Sequence, residues 1–441
     1  WAGRTEDFVR PGLTDLRIVH NEFARIGFRD NEQGGGVGLS FHLADHLYFA
    51  HNHVHDVAHN GVHFSQAKTR GRGYDLAPEE ILTGDILVRD NLFERCVQNA
   101  TDAGGLKFWG ATADESHCFR DVLVYRNLSR WNIGWAWVSQ ERQNWTYHGK
   151  GGMGYYIDFA GGIHFFRNLA TDNGLAGFMA SGSWPDQGVV LANNTIAQSP
   201  LGYTLGTRGS LGLETTQLAI VNNVFLHLQR WALSVGQAQI LEGDVRMDFD
   251  LFHEAGWEPW PGQAPGILAG HVDGSGFRSM PSLEDVQALG LEPEGAVGDP
   301  RLAGFDPFPP EGGAQDLRLT AQSALALDTG GPLPASLLGL LDRFGLGDGA
   351  LGAALDRGAI ELDPANPDAP FTLEVGPGPG QSDATPPWDE GFPDPDPDPD
   401  PGARDGCGCS APGGARAAGS LFPLVLAIFA LILARRRKRP V

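Results

Sequence analysis

The chain is poor in cysteine, in methionine and in basic residues. Of its 441 residues, 4 are cysteine and 4 are methionine, and 32 Lys and Arg residues stand against 54 Asp and Glu residues. The formal net charge of −22 argues against nucleic acid as a partner, because phosphates need a basic surface. Glycine is abundant, with 61 residues, which favours β structure with many turns.

The four cysteines fall into two pairs. Cys96 and Cys118 lie in the body of the chain, and Cys407 and Cys409 lie near its end. In a protein of the cell envelope, Cys96 and Cys118 could form a disulfide. Two separate buried thiols are the alternative interpretation of the first pair.

A pattern centred on asparagine repeats through the first half of the chain. The anchors recur every 26 to 41 residues: Asn21, Asn52, Asn91, Asn127, Asn168, Asn194, Asn223 and, as a variant, Asp250. The residues five and three positions before each anchor are all apolar: Leu16 and Ile18, Leu47 and Phe49, Ile86 and Val88, Val122 and Val124, Ile163 and Phe165, Val189 and Leu191, Leu218 and Ile220, Val245 and Met247. Since positions two apart on a strand share a face, each pair predicts a strand with one buried face.

A second short strand, led by glycine, follows most anchors. It reads GVHF from Gly61, GLKFW from Gly105, GWAW from Gly134, GFMA from Gly177 and GYTL from Gly202. Its predicted inward residues are Val62 and Phe64, Leu106 and Phe108, Trp135 and Trp137, Phe178 and Ala180, and Tyr203 and Leu205. Such coils are typical of a β-solenoid, whose stacked repeats share one core and whose anchor amides stack in a ladder at a corner. Hairpin dipeptides are missing between most repeats, which weighs against a β-propeller or a sandwich.

From about Leu16 to Phe252, this coil resembles the right-handed parallel β-helix proteins of the pectate-lyase-like superfamily. The resemblance implies an all-β fold with a right-handed parallel β-helix over residues 1–252. Residues 253–363 are expected to form a C-terminal capping region, with a short helix in 281–290 whose N-cap is Ser282. The fold does not by itself define the reaction.

The end of the chain has a different composition. Residues 364–405 form a Pro/Asp/Gly-rich stretch that predicts a disordered, extended linker. Within 406–441, Gly-Cys-Gly-Cys precedes an uncharged stretch, 417–434, and an arginine-rich cluster, 435–439. The uncharged stretch is near the lower length limit for a transmembrane helix, and the basic cluster predicts a cytoplasmic end with the body outside.

This tail resembles the C-terminal sorting tail of myxobacterial surface proteins. The resemblance implies a temporary membrane anchor, a sorting protease that cuts near the cysteines, and a mature protein at the cell envelope or outer surface. It also implies that Cys407, with Cys409 second, is the processing or lipid-attachment residue. Any signal peptide would lie upstream of Trp1.

Five histidines lie between His51 and His63. His51 precedes the anchor Asn52, and polar residues of every kind occupy its position in other coils, which indicates an outward-facing position: His20, Asp90, Arg126, Arg167, Asn193 and Asn222. The five histidines are expected to face different directions, so no metal site is predicted. The alternative is a metal site that also uses His42 or His46.

A candidate catalytic group lies on the outer side of the second strands. His63 and Lys107 occupy one column, Trp109 lies two positions further on, and Asp102 lies just upstream of Lys107. We predict catalytic roles for Asp102, His63 and Lys107, because carboxylates act at glycosidic bonds and Lys or His can remove a proton alpha to a uronate carboxylate. The alternative is that these are ordinary solvated side chains and that Asp102 shapes a glycine turn.

Long insertions follow the same coils. The intervals after Asn52, Asn91 and Asn127 are 39, 36 and 41 residues, whereas the last three are 26, 29 and 27. Such loops can form the walls of a groove, and their aromatic and basic side chains suit sugar rings and carboxylates. The predicted substrate-binding residues are Trp109, Arg70, Arg72, Trp145, Tyr147 and Glu141.

The stretch 89–110 also resembles part of some glycoside hydrolases of this fold, which implies a catalytic role for Asp102. The two-carboxylate mechanism needs a partner, and Glu141, Asp121 and Glu94 are the candidates. The sequence therefore predicts a surface protein that acts on or binds polysaccharide, either a glycoside hydrolase or a polysaccharide lyase. The alternative is a non-catalytic adhesin or glycan-binding rod. No cofactor is established, and Ca²⁺ is a candidate only because lyases of this fold often use it.

Overall fold

A computed structural model describes most of the repeating body and parts of the C-terminal half. The described residues are 13–27, 36–42, 44–65, 83–98, 100, 103–110, 119–134, 151–158, 160–180, 188–205, 217–235, 244–254, 266–271, 277–306, 315–348, 350, 353–363, 365 and 373–377. The first strands are β1 Leu13–Val19, β2 Glu22–Ile26, β3 Leu39–His42, β4 Ala44–Ala50, β5 His53–Val57, β6 Val62–Ser65, β7 Thr83–Arg89, β8 Leu92–Glu94, β9 Gly104–Trp109, β10 Phe119–Tyr125, β11 Leu128–Arg130 and β12 Met153–Asp158. Next come β13 Ile163–Phe166, β14 Leu169–Thr171, β15 Ala176–Ala180, β16 Val189–Ala192, β17 Thr195–Ala197, β18 Leu201–Leu205, β19 Gln217–Val221, β20 Val224–Leu226, β21 Trp231–Val235, β22 Asp244–Asp248, β23 Leu251–His253 and β24 Gly266–His271. The last elements are β25 Phe277–Met280, α1 Leu283–Gln287, β26 Ala296–Val297, β27 Leu302–Gly304, β28 Asp316–Leu319 and α2 Ala335–Arg343.

Eight successive coils each add one strand to each of three parallel sheets. Sheet A contains β1, β4, β7, β10, β13, β16, β19 and β22, and sheet B contains β2, β5, β8, β11, β14, β17, β20, β23 and β26. Sheet C runs from β3 through β6, β9, β12, β15, β18 and β21 to β24, with β25 antiparallel at its end. The stacking is in register, so Leu47 pairs with Ile86 and Ile86 with Val122. This arrangement confirms the predicted all-β solenoid.

Each coil has three strands rather than the predicted two. The residues directly after each anchor form a separate strand of sheet B, because the chain turns on both sides of it. In the third coil, Asp90 and Arg95 adopt φ values of 52° and 50° at these two corners. The left-handed region is rarely adopted by β-branched residues, which fits the polar residues found at most corners.

The interior consists of the predicted apolar columns. All sixteen residues that precede the anchors belong to one core cluster or pack against it. The aromatic rings stack between coils, as Phe64 does on Phe108 with centroids 5.0 Å apart. The glycines that lead most strands of sheet C have a packing reason, as a Cβ on Gly105 would lie 2.5 Å from the Ser129 hydroxyl.

The anchor asparagines form the predicted ladder from Asn21 to Asp250. Asn127 is representative. Its Nδ2 donates to the carbonyls of Val88 and Tyr125 at 2.9 and 3.1 Å and to Oδ1 of Asn168 at 3.0 Å. Its Oδ1 accepts from the backbone N and from Nδ2 of Asn91, both at 2.9 Å. The amide thus satisfies buried backbone groups of neighbouring coils.

A second ladder, not predicted, lies five residues after four consecutive anchors, from Asn91 to Asn194. The backbone N of Cys96 donates to Oδ1 of Asn132 at 2.9 Å, and Nδ2 of Asn132 donates to Oδ1 of Asn173 at 3.0 Å. Ser199 continues it by accepting from the backbone N of Asn173. Cys96 is a free, buried thiol whose pKa is raised by burial, which corresponds to the buried-thiol alternative. Cys118 lies outside the described residues.

The predicted second strand of the fourth coil was wrong. The GWAW segment from Gly134 does not supply the sheet C strand of this coil. That strand is β12, which pairs with β9 on one side and β15 on the other. Tyr155 and Ile157 occupy the inward positions predicted for Trp135 and Trp137, and these two tryptophans lie outside the described residues.

The solenoid extends beyond residue 252, because β24 and β26 continue sheets C and B. Helix α1 follows, with Ser282 as the predicted N-cap in a capping box with Asp285. Val286 and Leu291 pack into the solenoid core beside coil eight. The backbone N of Asp250 donates to the side chain of Glu292, so the ladder ends in this segment.

The later C-terminal residues lie along the sides of the solenoid. In α2, Leu337 and Leu341 pack on the outer face of sheet A. Leu317, Leu319 and Ala359 pack on the outer face of sheet B. Part of the predicted linker, 373–377, also contacts the solenoid, since Gly376 N donates to the His51 carbonyl at 2.9 Å.

Among the residues that the structure describes, no helix has the length and hydropathy needed to cross a membrane. The predicted hydrophobic helix in 417–434, Cys407 and Cys409 lie outside them.

Candidate functional site

Two columns of side chains project from the outer face of sheet C. They alternate with the inward residues Val62, Phe64, Leu106 and Phe108. The first column places His63 beside Lys107 and Lys107 beside Tyr156. The second places Ser65 beside Trp109 and Trp109 beside Asp158. Strands β6, β9 and β12 thus bring a histidine, a lysine, a carboxylate and two aromatic rings together.

The lysine of this site is held by two neighbours. Lys107 Nζ lies 2.9 Å from Asp158 Oδ2, and both side chains are only 9% exposed. The same ammonium lies 4.3 Å from the centroid of the Tyr156 ring, a cation–π contact. Lys107 is therefore a positioned charge on a mostly dehydrated surface.

His63 is neutral and has a buried nitrogen available. Its ring stacks against Trp109, with centroids 6.0 Å apart and an interplanar angle of 29°. Burial, and then the charge of Lys107, lower the pKa of His63 to about 3. Its Nε2 is buried and makes no hydrogen bond within the described part of the chain. The ring is therefore uncharged at neutral pH, as a general base must be before it acts, and its Nε2 can form a hydrogen bond with a bound molecule.

The structure brings together three of the predicted site residues, His63, Lys107 and Trp109. The others lie outside the described residues: Asp102, Arg70, Arg72, Glu141, Trp145 and Tyr147. The sequence reasoning missed Asp158 and Tyr156, because it assigned the strand of this coil to GWAW. The segment GYYID from Gly154 carries the same glycine-led pattern and would have placed Asp158 beside Trp109.

The two other candidate carboxylates among the described residues lie elsewhere. Glu94 is on the outer face of sheet B, where Arg130 Nη2 lies 2.6 Å from its Oε2. Burial would raise its pKa, but the neighbouring His53 ring, 3.7 Å away, and the charge of Arg130 lower it to about 2. Asp121 lies in β10 of sheet A and accepts from Arg343 of α2 at 2.8 Å. Neither belongs to the sheet C site.

The five histidines between His51 and His63 are distributed over different faces. His51 lies at a corner, where its ring stacks on His20 with centroids 4.8 Å apart. His53 and His55 lie on β5 in sheet B, and His63 lies on β6 in sheet C.

The column of residues equivalent to His51 is exposed to solvent only in part. In later coils it is buried under C-terminal residues, as Arg167 Nη2 pairs with Glu361 at 2.6 Å and Asn193 Nδ2 donates to the Asp356 carbonyl. The column thus points away from the solenoid core in these coils, and the C-terminal segment covers it.

Two groups of described residues have the spacing to hold a metal ion, and both lie outside the sheet C site. They are Glu22 with His53 and His55, and Asp45 with His46 and Asp85. In the described part of the sheet C site, Asp158 is the one carboxylate, whereas Ca²⁺ takes about six to eight oxygen ligands. The described residues there do not form a calcium site by themselves.

Comparisons of the sequence with models of known protein families and with curated proteins gave no match. A neutral imidazole, a fixed ammonium and a flat indole suit a substrate that carries both a carboxylate and an apolar ring face.

Proposed function

We propose that the protein acts on an acidic polysaccharide at the outer face of sheet C, as a polysaccharide lyase. The observation that carries the proposal is His63, a neutral ring whose buried Nε2 makes no hydrogen bond with the described residues, next to Lys107. Proton removal alpha to a carboxylate needs a base and a nearby positive charge, and this pair supplies both.

In the proposed reaction, His63 takes the proton alpha to the uronate carboxylate. The electrons of the broken C–H bond form a C=C bond, and the glycosidic C–O bond on the neighbouring carbon breaks. The leaving oxygen takes the proton from the His63 imidazolium, which returns the ring to its neutral form, and the product carries an unsaturated uronate. Lys107 has three N–H donors, so it can bind the substrate carboxylate while it keeps its contact with Asp158. Trp109 offers a flat face to a sugar ring.

Hydrolysis has less support from the described residues. It needs two carboxylates that flank the bond. Asp158 is present but paired with Lys107, and Asp102 precedes β9 outside the described residues. A glycoside hydrolase would therefore depend on Asp102.

Binding without turnover is the second candidate, as in an adhesin or glycan-binding rod. The Lys107–Asp158 ion pair favours it, because each charge is already neutralised by the other. The same surface would then hold an acidic glycan without removing a proton.

The location of the protein is proposed from the sequence. The resemblance to right-handed, pectate-lyase-like β-helices supports a glycan partner. The resemblance of the tail to myxobacterial sorting signals supports export, processing by a sorting protease near Cys407 and Cys409, and residence at the cell surface.

The first test is an assay of the full chain against uronate and neutral polysaccharides, with and without Ca²⁺, that detects unsaturated uronate products. His63→Ala should lower kcat by about 100-fold or more, because general base catalysis contributes roughly that factor. His164→Ala is the matched control. His164 also projects from an outer face, and burial lowers its pKa to about 4, but it lies on sheet A.

Equal losses in both histidine variants would contradict a base at position 63. Binding of an acidic glycan without any product would favour the glycan-binding rod. Cleavage without unsaturated product, abolished by Asp102→Asn, would replace the lyase with a hydrolase.

A further inference from the structure

The outer face of sheet B carries a group of metal-ligand side chains at the first two coils. Glu22 on β2 pairs in register with His53 on β5, and His55 follows two positions later on the same strand. One ligand atom of each residue lies within 4.8 Å of the other two. Glu22 Oε1 and His55 Nε2 are 2.9 Å apart, and the two imidazole rings stack with centroids 4.1 Å apart.

A neighbouring carboxylate orients one of the imidazoles. His55 Nδ1 lies 2.7 Å from Asp56 Oδ2, and this contact leaves Nε2 directed at Glu22. Arg95 Nε in turn donates to Asp56 Oδ1 at 2.8 Å. Metal-bound histidines almost always give their other nitrogen to a carboxylate, a carbonyl or water, and this contact also fixes the tautomer.

His53 adds an independent indication of a missing ligand. Its Nε2 is buried and makes no hydrogen bond in the described part of the chain. Glu94 Oε1 lies 3.7 Å from it, which is too long for a hydrogen bond, and is already paired with Arg95. A buried nitrogen without a partner is costly, and a metal ion would satisfy it.

We propose that Glu22, His53 and His55 bind a divalent transition-metal ion of the Zn²⁺ class. Two imidazoles and one carboxylate suit Zn²⁺, with ligand bonds of about 2.0–2.2 Å, and leave a fourth position for water. Imidazole nitrogen disfavours Ca²⁺ and Mg²⁺, which prefer oxygen ligands. Glu22 belongs to coil one and both histidines belong to coil two, so the ion would link the first two coils.

The other metal-ligand group in the described residues serves as an internal comparison. Asp45, His46 and Asp85 have similar spacing, but Arg343 of α2 already pairs with Asp85 and with Asp121. A guanidinium thus supplies the positive charge there. His46→Ala is therefore a matched control that removes a histidine from a similar group and should leave Zn²⁺ binding unchanged.

The experiment uses the full chain without a polyhistidine tag, freed of metal by EDTA and then titrated with Zn²⁺ by calorimetry and by thermal unfolding. We expect one equivalent of Zn²⁺ to bind and to raise Tm by several degrees, since a ligand of the folded state stabilises it. The double variant H53A/H55A should lose both effects. Glu22→Gln, at a half-exposed position, should keep the fold and weaken binding by about 10-fold or more.

Zn²⁺ binding with unchanged stoichiometry and affinity in Glu22→Gln and H53A/H55A would overturn the proposal. So would an absence of Zn²⁺ binding to the wild type, or binding of Ca²⁺ in preference to Zn²⁺. None of these readouts depends on the glycan assay.

Discussion

Replacing Asn127 by alanine is expected to lower the free energy of unfolding by about 3–5 kcal/mol. The side chain is fully buried and makes five hydrogen bonds to three coils. Alanine removes all five and leaves the backbone N of Asn91 buried without its acceptor. Urea denaturation followed by circular dichroism measures the change.

Asn21→Ala is the matched control for this prediction. Asn21 is the first rung and is exposed, and among the described residues its side chain donates to the Val19 carbonyl and to Asn52 Oδ1. This substitution should lower the free energy of unfolding by about 1 kcal/mol, which is the net contribution of one or two solvated hydrogen bonds. Equal costs at both positions would mean that the ladder does not support the interior of the solenoid.

Asp250→Asn is expected to stabilise the protein at neutral pH. Asp250 takes the place of an asparagine in the ladder, and its Oδ1 accepts from the backbone N and Nδ2 of Asn223 at 2.6 and 2.9 Å. Its Oδ2 is buried and makes no hydrogen bond among the described residues. An amide at this position keeps the Oδ1 contacts and adds a donor. In the preceding rung, the equivalent donor of Asn223 reaches the Leu191 carbonyl.

The pH dependence of the protein's stability should also depend on the Asp250 carboxyl group. Burial raises the pKa of Asp250 from 3.8 to about 6, and burial together with the charge of Asp250 raises the pKa of Glu292. Because the folded state holds these protons more tightly, this pair should destabilise the wild type least in mild acid, and the protein should lose stability as pH rises through about 6. In Asp250→Asn this loss should be much smaller, and Tm at neutral pH should rise by several degrees.

Thermal unfolding across this pH range tests the prediction. Asp342→Asn, which changes an exposed carboxylate of α2, should leave the wild-type pH profile nearly unchanged. An Asp250→Asn variant that is less stable than the wild type at neutral pH would contradict the expected role.

The anchor ladder and the interior could be predicted because the repeat requires one residue type at one offset. Asn52, Asn91 and Asn127 form equivalent hydrogen bonds in successive coils. The apolar columns follow from the alternation of inward and outward side chains along each strand. The second ladder could not be predicted in this way, because no single residue type is present at every position along it. Cys96, Asn132 and Ser199 use different donors and acceptors at the same corner.

The candidate site could be predicted where the sheet C strands of two coils could be aligned. It could not be predicted in the coil where the distance from the anchor to this strand is unusually long. His63 and Lys107 lie in adjacent glycine-led strands of sheet C, so their column could be found. The long interval after Asn127 contains two glycine-led aromatic segments, GWAW and GYYID. Asp158 was missed because the prediction used the first segment, whereas the second forms the strand. The contacts of α2 also escaped prediction, since they join residues more than two hundred positions apart, as Arg343 joins Asp121.

The segment that runs along the sides of the solenoid has a consequence for cooperativity. In an ordinary solenoid each repeat touches only its neighbours, so terminal repeats can detach one at a time. Here Arg343 joins the third and fourth coils, while residues 331–361 contact the fifth, sixth and seventh. Detachment of one of these coils would also break contacts made to the others through this strap. The middle of the protein should therefore unfold in one transition, with the strap as part of the same cooperative unit.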